Sequence, residues 1–264
     1  MKFLLSRRWA TFAIVVVLAA WGAWALGQWQ FHRLQERRHD NAITRANLAA
    51  LPAPIDTIMA PGRQPAEDAE WRRVTVHGTY DDAHTIVLKY QTRDGSAGVD
   101  VVTPLRTADG TGVLVDRGWM QSENSGNVRP KLPAATKGAV TVTGLVRRDA
   151  SGGATDIGDM ATRAISSESI GKLLDYRLYG GFVDLDQQSP PSTTAPALQK
   201  AELPDDTSDG PHFFYGLQWW FFGVLAVFGF FYLMYDEVKR AREARESQRP
   251  EHPAVDRQHH AGDE

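Results

Sequence analysis

The sequence contains no cysteine, and this absence excludes several classes of function. Disulfide bonds, thiolate metal sites and covalently attached c-type haem all need cysteine sulfur. A copper-delivery site built on paired thiolates is excluded for the same reason. Any metal ion or haem that the chain binds must therefore use histidine, methionine, tyrosine or carboxylate side chains.

An excess of basic charge is also missing, since 29 Lys and Arg residues face 32 Asp and Glu residues. A nucleic-acid-binding surface would need a concentrated basic face. The sequence also has no G-x-S-x-G elbow, no phosphate-binding glycine loop and no H-E-x-x-H zinc helix. It therefore predicts neither a nucleic-acid partner nor an enzyme.

Two long apolar runs are present, one at each end of the chain, from Trp9 to Leu26 and from Phe213 to Tyr235. A helix of about 20 apolar residues crosses the hydrocarbon core of a bilayer. The first run could instead be a signal peptide, because Ala23 and Ala25 form a small-x-small cleavage pattern. Its length exceeds the usual apolar core of about 7–15 residues, so the sequence predicts two transmembrane helices.

The charges that flank the second run predict the orientation of the chain. Four basic residues follow the run: Lys239, Arg240, Arg242 and Arg245. Four acidic residues precede it: Glu202, Asp205, Asp206 and Asp209. Basic flanks stay in the cytoplasm, so we expect a multi-pass membrane protein with both termini cytoplasmic and the central part outside.

The central part shows strand patterns. Alternating apolar residues and turn signals predict strands near Val74–Thr79, Thr85–Tyr90, Val99–Leu105, Gly112–Asp116, Ala139–Val146 and Gly181–Leu185. Asp109-Gly110 predicts a hairpin, and Ser166 or Ser167 can cap one short helix. The expected fold class is a membrane protein in which two transmembrane helices bracket a β-rich α+β domain, an antiparallel barrel or sandwich.

Changes of composition predict the domain boundaries. The segments are a cytoplasmic N-terminus at 1–8, a transmembrane helix at 9–27, a helical stalk at 28–51, an extracytoplasmic β-rich domain at 52–188, a tether rich in Pro, Ser, Thr and Asp at 189–211, a second transmembrane helix at 212–235, and a charged, disordered cytoplasmic tail at 236–264.

His212, at the start of the second run, is the main candidate for chemistry. On a helix, Tyr215, Gly216 and Trp219 share its face. A neutral imidazole is a good axial ligand for haem iron, and a macrocycle needs flanking apolar or aromatic surface. The alternative is a histidine that hydrogen-bonds a lipid headgroup within an ordinary belt of interfacial aromatic residues.

Other polar residues lie near the two runs. Arg33 and Arg37 are four residues apart and could bind propionates or lipid phosphates, or form a solvated helix surface paired with acidic neighbours. Gln218 lies inside the second run, where an amide needs a partner. Gln28 or Gln30 could supply that partner and pair the helices.

Arg117, Gly118 and Trp119 follow a predicted strand. They could form a docking or ligand surface, or a strand end whose tryptophan closes the core.

Three motifs together resemble those of the Surf1 family of cytochrome c oxidase assembly factors, and the resemblance covers nearly the whole chain. They are Gly27-x-Trp29-Gln30-x-x-Arg33-x-x-x-Arg37, Pro104-Leu105 followed by Leu114-Val115-Asp116-Arg117-Gly118-Trp119, and His212-x-x-Tyr215-Gly216-x-Gln218-Trp219. Arg37 replaces the usual Lys, Gly216 replaces the usual Ala, and Met120-Gln121 stands where a Pro often follows.

The resemblance implies a bacterial assembly factor for a haem–copper cytochrome c oxidase. It would bind haem a at the outer membrane surface and help it reach the catalytic subunit, with haem a synthase as a further partner. His212 would be the ligand of the haem iron, Tyr215 and Trp219 would flank the ring, and Arg33 or Arg37 would meet propionates. The alternative is a non-catalytic structural partner that stabilises oxidase subunits without binding haem.

Overall fold

The structure is a computed structural model that describes residues 6–123, 127–204, 208 and 210–247. The helices are α1 (Arg7–Ala49), α2 (Ser167–Gly171) and α3 (His212–Ser247). The strands are β1 (Ala53–Pro54), β2 (Arg73–Tyr80), β3 (Ile86–Arg93), β4 (Ser96–Arg106), β5 (Gly112–Gln121), β6 (Ala139–Arg147), β7 (Ala161–Thr162) and β8 (Leu178–Ser189). The chain divides into two compact units, Met1–Arg37 with Asp209–Glu264, and Arg38–Ser208.

Helices α1 and α3 are each long and apolar enough to cross a membrane. In their most apolar stretches only 17% of the residues of α1 and 0% of those of α3 are buried within the molecule. The core helix of a water-soluble protein would instead bury such side chains. The two helices are therefore consistent with a membrane protein.

Both helices continue beyond their apolar runs. Helix α1 reaches Ala49 without a break. Helix α3 reaches Ser247, and ion pairs one turn apart support this last part, between Arg240 and Asp236 at 2.7 Å and between Lys239 and Glu243 at 3.9 Å. The predicted disorder is therefore wrong up to Ser247, and the remainder of the predicted tail, 248–264, lies outside the described residues.

The second unit contains a sheet with a strand at each of the six predicted places. Residues Asp109-Gly110 join β4 to β5 in an antiparallel hairpin, as predicted. The hydroxyl of Ser166 accepts a hydrogen bond from the backbone N–H of Ser169 at 3.2 Å and so caps α2. The two-residue strands β1 and β7 were not predicted, because so short a segment has no periodicity.

The strand order is β1-β2-β6-β8-β5-β4-β3-β7, and a further pairing of β2 with β4 completes a circuit through β2, β6, β8, β5 and β4. The expectation of a purely antiparallel sheet is wrong, because β5 and β8 are parallel neighbours. The long connection between them, which includes β6 and α2, permits this pairing. The barrel or sandwich architecture stays a prediction.

Three groups of buried apolar side chains stabilise the sheet among the described residues, and the two larger ones show how it packs. The larger one contains inward-facing valines of the circuit strands, among them Val74, Val115, Val142 and Val183, none of which is exposed. The second packs α2 against β3 and β4 through residues such as Ile170 and Ile86. Both follow from strand alternation, which places every second side chain on the same face.

Candidate functional site

Glycines bring α1 and α3 into close contact. A Cβ atom on Gly27 would lie 2.2 Å from the indole nitrogen of Trp220, so this indole occupies the space that a side chain would take. A Cβ atom on Gly216 would lie 2.8 Å from the ring of Phe31. Small residues at a helix interface allow close approach of the backbones, which is the usual way that apolar helices pair in a membrane.

His212 lies at the first position of α3 and contacts α1. Its Nδ1 atom lies 2.8 Å from Oε1 of Gln30, and both side chains are half-buried. Arg37 is close to the same place, since its guanidinium carbon and the His212 ring lie 3.7 and 3.5 Å from the Cβ position of Gly210. Three residues of the predicted motifs therefore converge here from two separate parts of the sequence.

Arg33 lies further along the exposed surface of α1. Its guanidinium is 3.1 Å from the carboxylate of Glu36 and 5.9 Å from the ring centre of Trp29. Both partners of this ion pair are more than half exposed, and such a pair contributes at most about 1 kcal/mol. Arg33 could therefore exchange Glu36 for another anion at little cost.

The aromatic residues predicted beside His212 are accessible. Tyr215 is 48% exposed, and Trp219 is half-buried with its ring edge-on to Phe222 at 6.0 Å. Gln218 is exposed and forms no hydrogen bond with any residue that the structure describes. The hypothesis that Gln28 or Gln30 pairs with Gln218 is wrong, because Gln30 contacts His212 instead and the side chain of Gln28 forms no hydrogen bond with any described residue.

An apolar groove of about 600 Å³ also lies on this pair of helices. Its lining is formed by Ala20, Trp24, Trp220, Gly223, Val224, Val227, Phe228 and Phe231. Such a lining suits a hydrocarbon chain, because it offers apolar contact and almost no hydrogen-bonding group.

Arg117 and Trp119 are buried in the sheet-containing unit. The guanidinium of Arg117 donates hydrogen bonds to the backbone oxygens of Pro133 at 3.1 Å and Ala134 at 3.0 Å. The indole N–H of Trp119 donates to the backbone oxygen of Gln91 at 3.0 Å. With exposures of 5% and 4%, these side chains offer little surface to a partner.

Gly118, between Arg117 and Trp119 in the sequence, leaves room for the tether, the segment that leads towards α3. Its φ angle is +119°, and a Cβ atom would lie 2.2 Å from the backbone oxygen of Gln199. On the next residue, Trp119 exchanges two backbone hydrogen bonds of 2.8 Å with Gln199. Arg93 adds a hydrogen bond of 2.6 Å to the backbone oxygen of Lys200. Gly118 and Trp119 of the Arg-Gly-Trp motif, together with Arg93, thus fix the tether to the sheet.

A family model described as the SURF1 family matches residues 17–224. The chain belongs to the SURF1 family. Proteins of Mycobacterium bovis and Mycobacterium tuberculosis, each named as an uncharacterised SURF1-like protein, are 29% identical to it over 96% of this chain and 93% of theirs. A SURF1-like protein of Monosiga brevicollis is 32% identical over 53% of this chain and 54% of its own.

All three motifs of this SURF1-family chain lie inside the matched range. The sequence analysis did not predict that Asp116, in the second motif, lies in a group of three buried aspartates. Asp100, Asp116 and Asp184 lie on the neighbouring strands β4, β5 and β8 and are 4–5% exposed. Arg93 lies 3.0 Å from Asp100, and Arg147 lies 3.0 Å from Asp184. The available signal was a valine followed directly by aspartate within three strands.

Burial governs the protonation of these three aspartates. It raises the pKa of Asp116 well above its usual range, and the negative charges of Asp100 and Asp184 add to the shift. Burial likewise raises the pKa of Asp100 to about 6, against the opposing effect of Arg93. The pKa of Asp184 is raised for the same reason, against Arg147. Among the described residues, no group of His, Asp or Glu is arranged to hold a metal ion.

Proposed function

We propose that this SURF1-family chain assists the assembly of a haem–copper cytochrome c oxidase, by holding haem a at the outer membrane surface and helping to insert it into the catalytic subunit. Membership of the family supports the assembly role. The single observation that supports haem binding is the contact of His212 with Gln30, which leaves the Nε2 atom of a half-buried imidazole without a partner among the described residues.

The side chains around His212 suit a haem as transient cargo. Imidazole nitrogen is a ligand for haem iron. Tyr215 and Trp219 expose aromatic surface on the same helix, where they would flank a macrocycle. Arg37 lies close enough to meet a propionate, and Arg33 could give up Glu36 for a second one. The apolar groove would suit the long hydrocarbon tail of haem a.

The proposal includes the placement in the cell. Helices α1 and α3 would cross the plasma membrane, with the basic residues after Tyr235 and both termini in the cytoplasm. The sheet-containing unit would then lie outside, where it could reach the oxidase catalytic subunit and haem a synthase. The function would be that of a carrier and positioning factor rather than an enzyme.

The test is a haem a titration of the detergent-purified full chain, followed by its Soret absorbance. We expect a band shift in the wild type that is lost in His212→Ala and retained in His77→Ala, a control that removes an exposed histidine on β2. Circular dichroism would verify that all three proteins fold. Equal binding in wild type and His212→Ala would place the ligand elsewhere.

A second candidate is a structural partner of the oxidase that binds no haem. The observation that favours it is the large exposed apolar surface of α1 and α3, which could pack against the helices of another subunit. Loss of oxidase activity on deletion of the gene, together with no haem binding by the wild type, would establish this candidate and refute the first.

A further inference from the structure

The contact between Gln30 and His212 determines which imidazole nitrogen carries the proton. The amide oxygen of Gln30 lies 2.8 Å from Nδ1, and an amide oxygen only accepts hydrogen bonds. With the amide in this orientation, Nδ1 donates. In a neutral imidazole the other nitrogen, Nε2, then carries the free lone pair. The contact selects the tautomer that can bind a metal ion through Nε2.

The packing of the two helices holds this contact in place. Gln30 is adjacent in sequence to Phe31, whose ring lies on Gly216, and is three residues from Gly27, which lies under Trp220. The ring of Phe31 is also 4.8 Å from that of Trp220. Apolar contacts on either side of Gln30 thus set the register of α1 against α3 and bring the amide to the imidazole.

We propose that Gln30 is the positioning residue of the haem site, which fixes the tautomer and ring orientation of His212 so that Nε2 faces the iron. This inference rests on the proposed function. Metal-binding histidines generally donate their second N–H to an acceptor, and removing that acceptor typically lowers metal affinity about 10- to 100-fold. Gln30 has the chemistry and the position of such an acceptor.

Two variants separate this role from simple helix pairing. Gln30→Leu keeps the approximate size and removes the acceptor, whereas Gln30→Glu keeps an acceptor oxygen. Gln28→Leu is the matched control, because Gln28 is exposed on the same helix and forms no hydrogen bond with any described residue. If Gln30 only ties the helices together through its bond to His212, Gln30→Leu should leave the haem a affinity at its wild-type value.

The first measurement needs no haem. Nitrogen NMR of the full chain in detergent, labelled with ¹⁵N-histidine, reports which ring nitrogen is protonated, and comparison with His212→Ala identifies the relevant signal. We expect the Nδ1–H form in the wild type, Gln30→Glu and Gln28→Leu, and a shift towards the Nε2–H form in Gln30→Leu. An Nε2–H wild type, or no change in Gln30→Leu, would overturn the proposal.

The second measurement is haem a affinity of the same proteins. We expect Gln30→Leu to bind about 10- to 100-fold more weakly than wild type, with near-normal binding by Gln30→Glu and Gln28→Leu. If His212→Ala loses binding while Gln30→Leu binds like the wild type, the proposed function stands and the positioning role is wrong. If the wild type binds no haem, the proposed function falls and the role of Gln30 with it.

Discussion

The Gly118→Ala substitution tests whether the Arg-Gly-Trp motif fixes the tether. An alanine Cβ would lie 2.2 Å from the backbone oxygen of Gln199, so the tether would have to move. Two backbone hydrogen bonds between Trp119 and Gln199 would then be lost, each contributing about 0.5–1.5 kcal/mol. A φ angle of +119° adds strain of about 1–3 kcal/mol for a residue with a side chain.

These contributions predict local destabilisation of the tether by about 2–6 kcal/mol. Because about 1.4 kcal/mol corresponds to a tenfold change in an equilibrium constant, the lower value means a roughly 30-fold larger equilibrium constant for opening of the tether. Amide hydrogen exchange of the detergent-purified full chain measures it directly. The N–H of Gln199, which donates to Trp119, should lose its protection while the amides of β2 and β6 keep theirs.

Gly95→Ala is the matched control for backbone strain. Gly95 also has a positive φ angle, +74°, but a Cβ atom there would meet nothing within 4 Å. We expect this variant to lose some stability locally and to leave the exchange of Gln199 unchanged. The reasoning would be refuted if Gly118→Ala left the protection of Gln199 at its wild-type value, or if both variants reduced it equally.

Two further predictions concern the helix pair and the buried aspartates. In an Ala23→Cys/Gly223→Cys double variant, we expect a disulfide bond on mild oxidation, because the two Cβ positions lie 3.3 Å apart. Adding Gly27→Leu should reduce the yield of this disulfide. Mass spectrometry after proteolysis between the helices measures the yield. Asp116→Asn should stabilise the folded chain relative to wild type at neutral pH and lose that advantage in acid, as measured by unfolding at a series of pH values.

The direction of the expected change in stability with pH for Asp116→Asn follows from proton linkage. Its folded pKa is raised, so between the unfolded value of about 3.9 and the folded value the native state binds more protons than the unfolded state. Stability therefore falls as pH rises through that range. Asp109→Asn is the control of opposite sign, because hydrogen bonds from Thr107 and Thr111 lower the pKa of Asp109. Parallel pH profiles for the two variants would contradict the assignment.

The cross-linking experiment has an internal safeguard. The native chain contains no cysteine, so any disulfide must join the two introduced residues, either within one chain or between chains. Dilution distinguishes these, since only the intermolecular product depends on protein concentration. Failure of the double variant to cross-link at any concentration would contradict the pairing of α1 with α3.

Local patterns in the sequence were sufficient to predict the helices and most of the sheet. The apolar runs predicted α1 and α3, and residues Asp109-Gly110 predicted the hairpin between β4 and β5, since both signals act over a few turns or one strand. The parallel pairing of β5 with β8 was not predictable. It depends on which strands become neighbours after a long connection, and periodicity contains no information about that choice.

In the candidate site, too, contacts between residues distant in sequence were not predictable. The sequence identified His212, Arg37 and Gln30 individually, but it offered Gln28 or Gln30 as a partner for Gln218 and did not pair Gln30 with His212. The contact that forms instead joins residues 182 positions apart, and it depends on the rotation of two helices about their axes. Likewise, no local signal shows that Arg117 and Trp119 are buried, because their environment comes from the tether and from strands distant in sequence.

Gly216, where the family motif usually has alanine, connects the packing of the helices to the chemistry of the site. A Cβ atom at this position would lie within 3.1 Å of three atoms of the Phe31 ring, so the absence of a side chain is what allows this ring to lie against α3. Phe31 adjoins Gln30 in sequence, and moving it away from α3 would draw the amide from His212. The residue that departs from the motif thus lies in the same helix contact as the histidine: Gly216, together with Gly27, permits the close approach of α1 and α3 that brings Gln30 to His212.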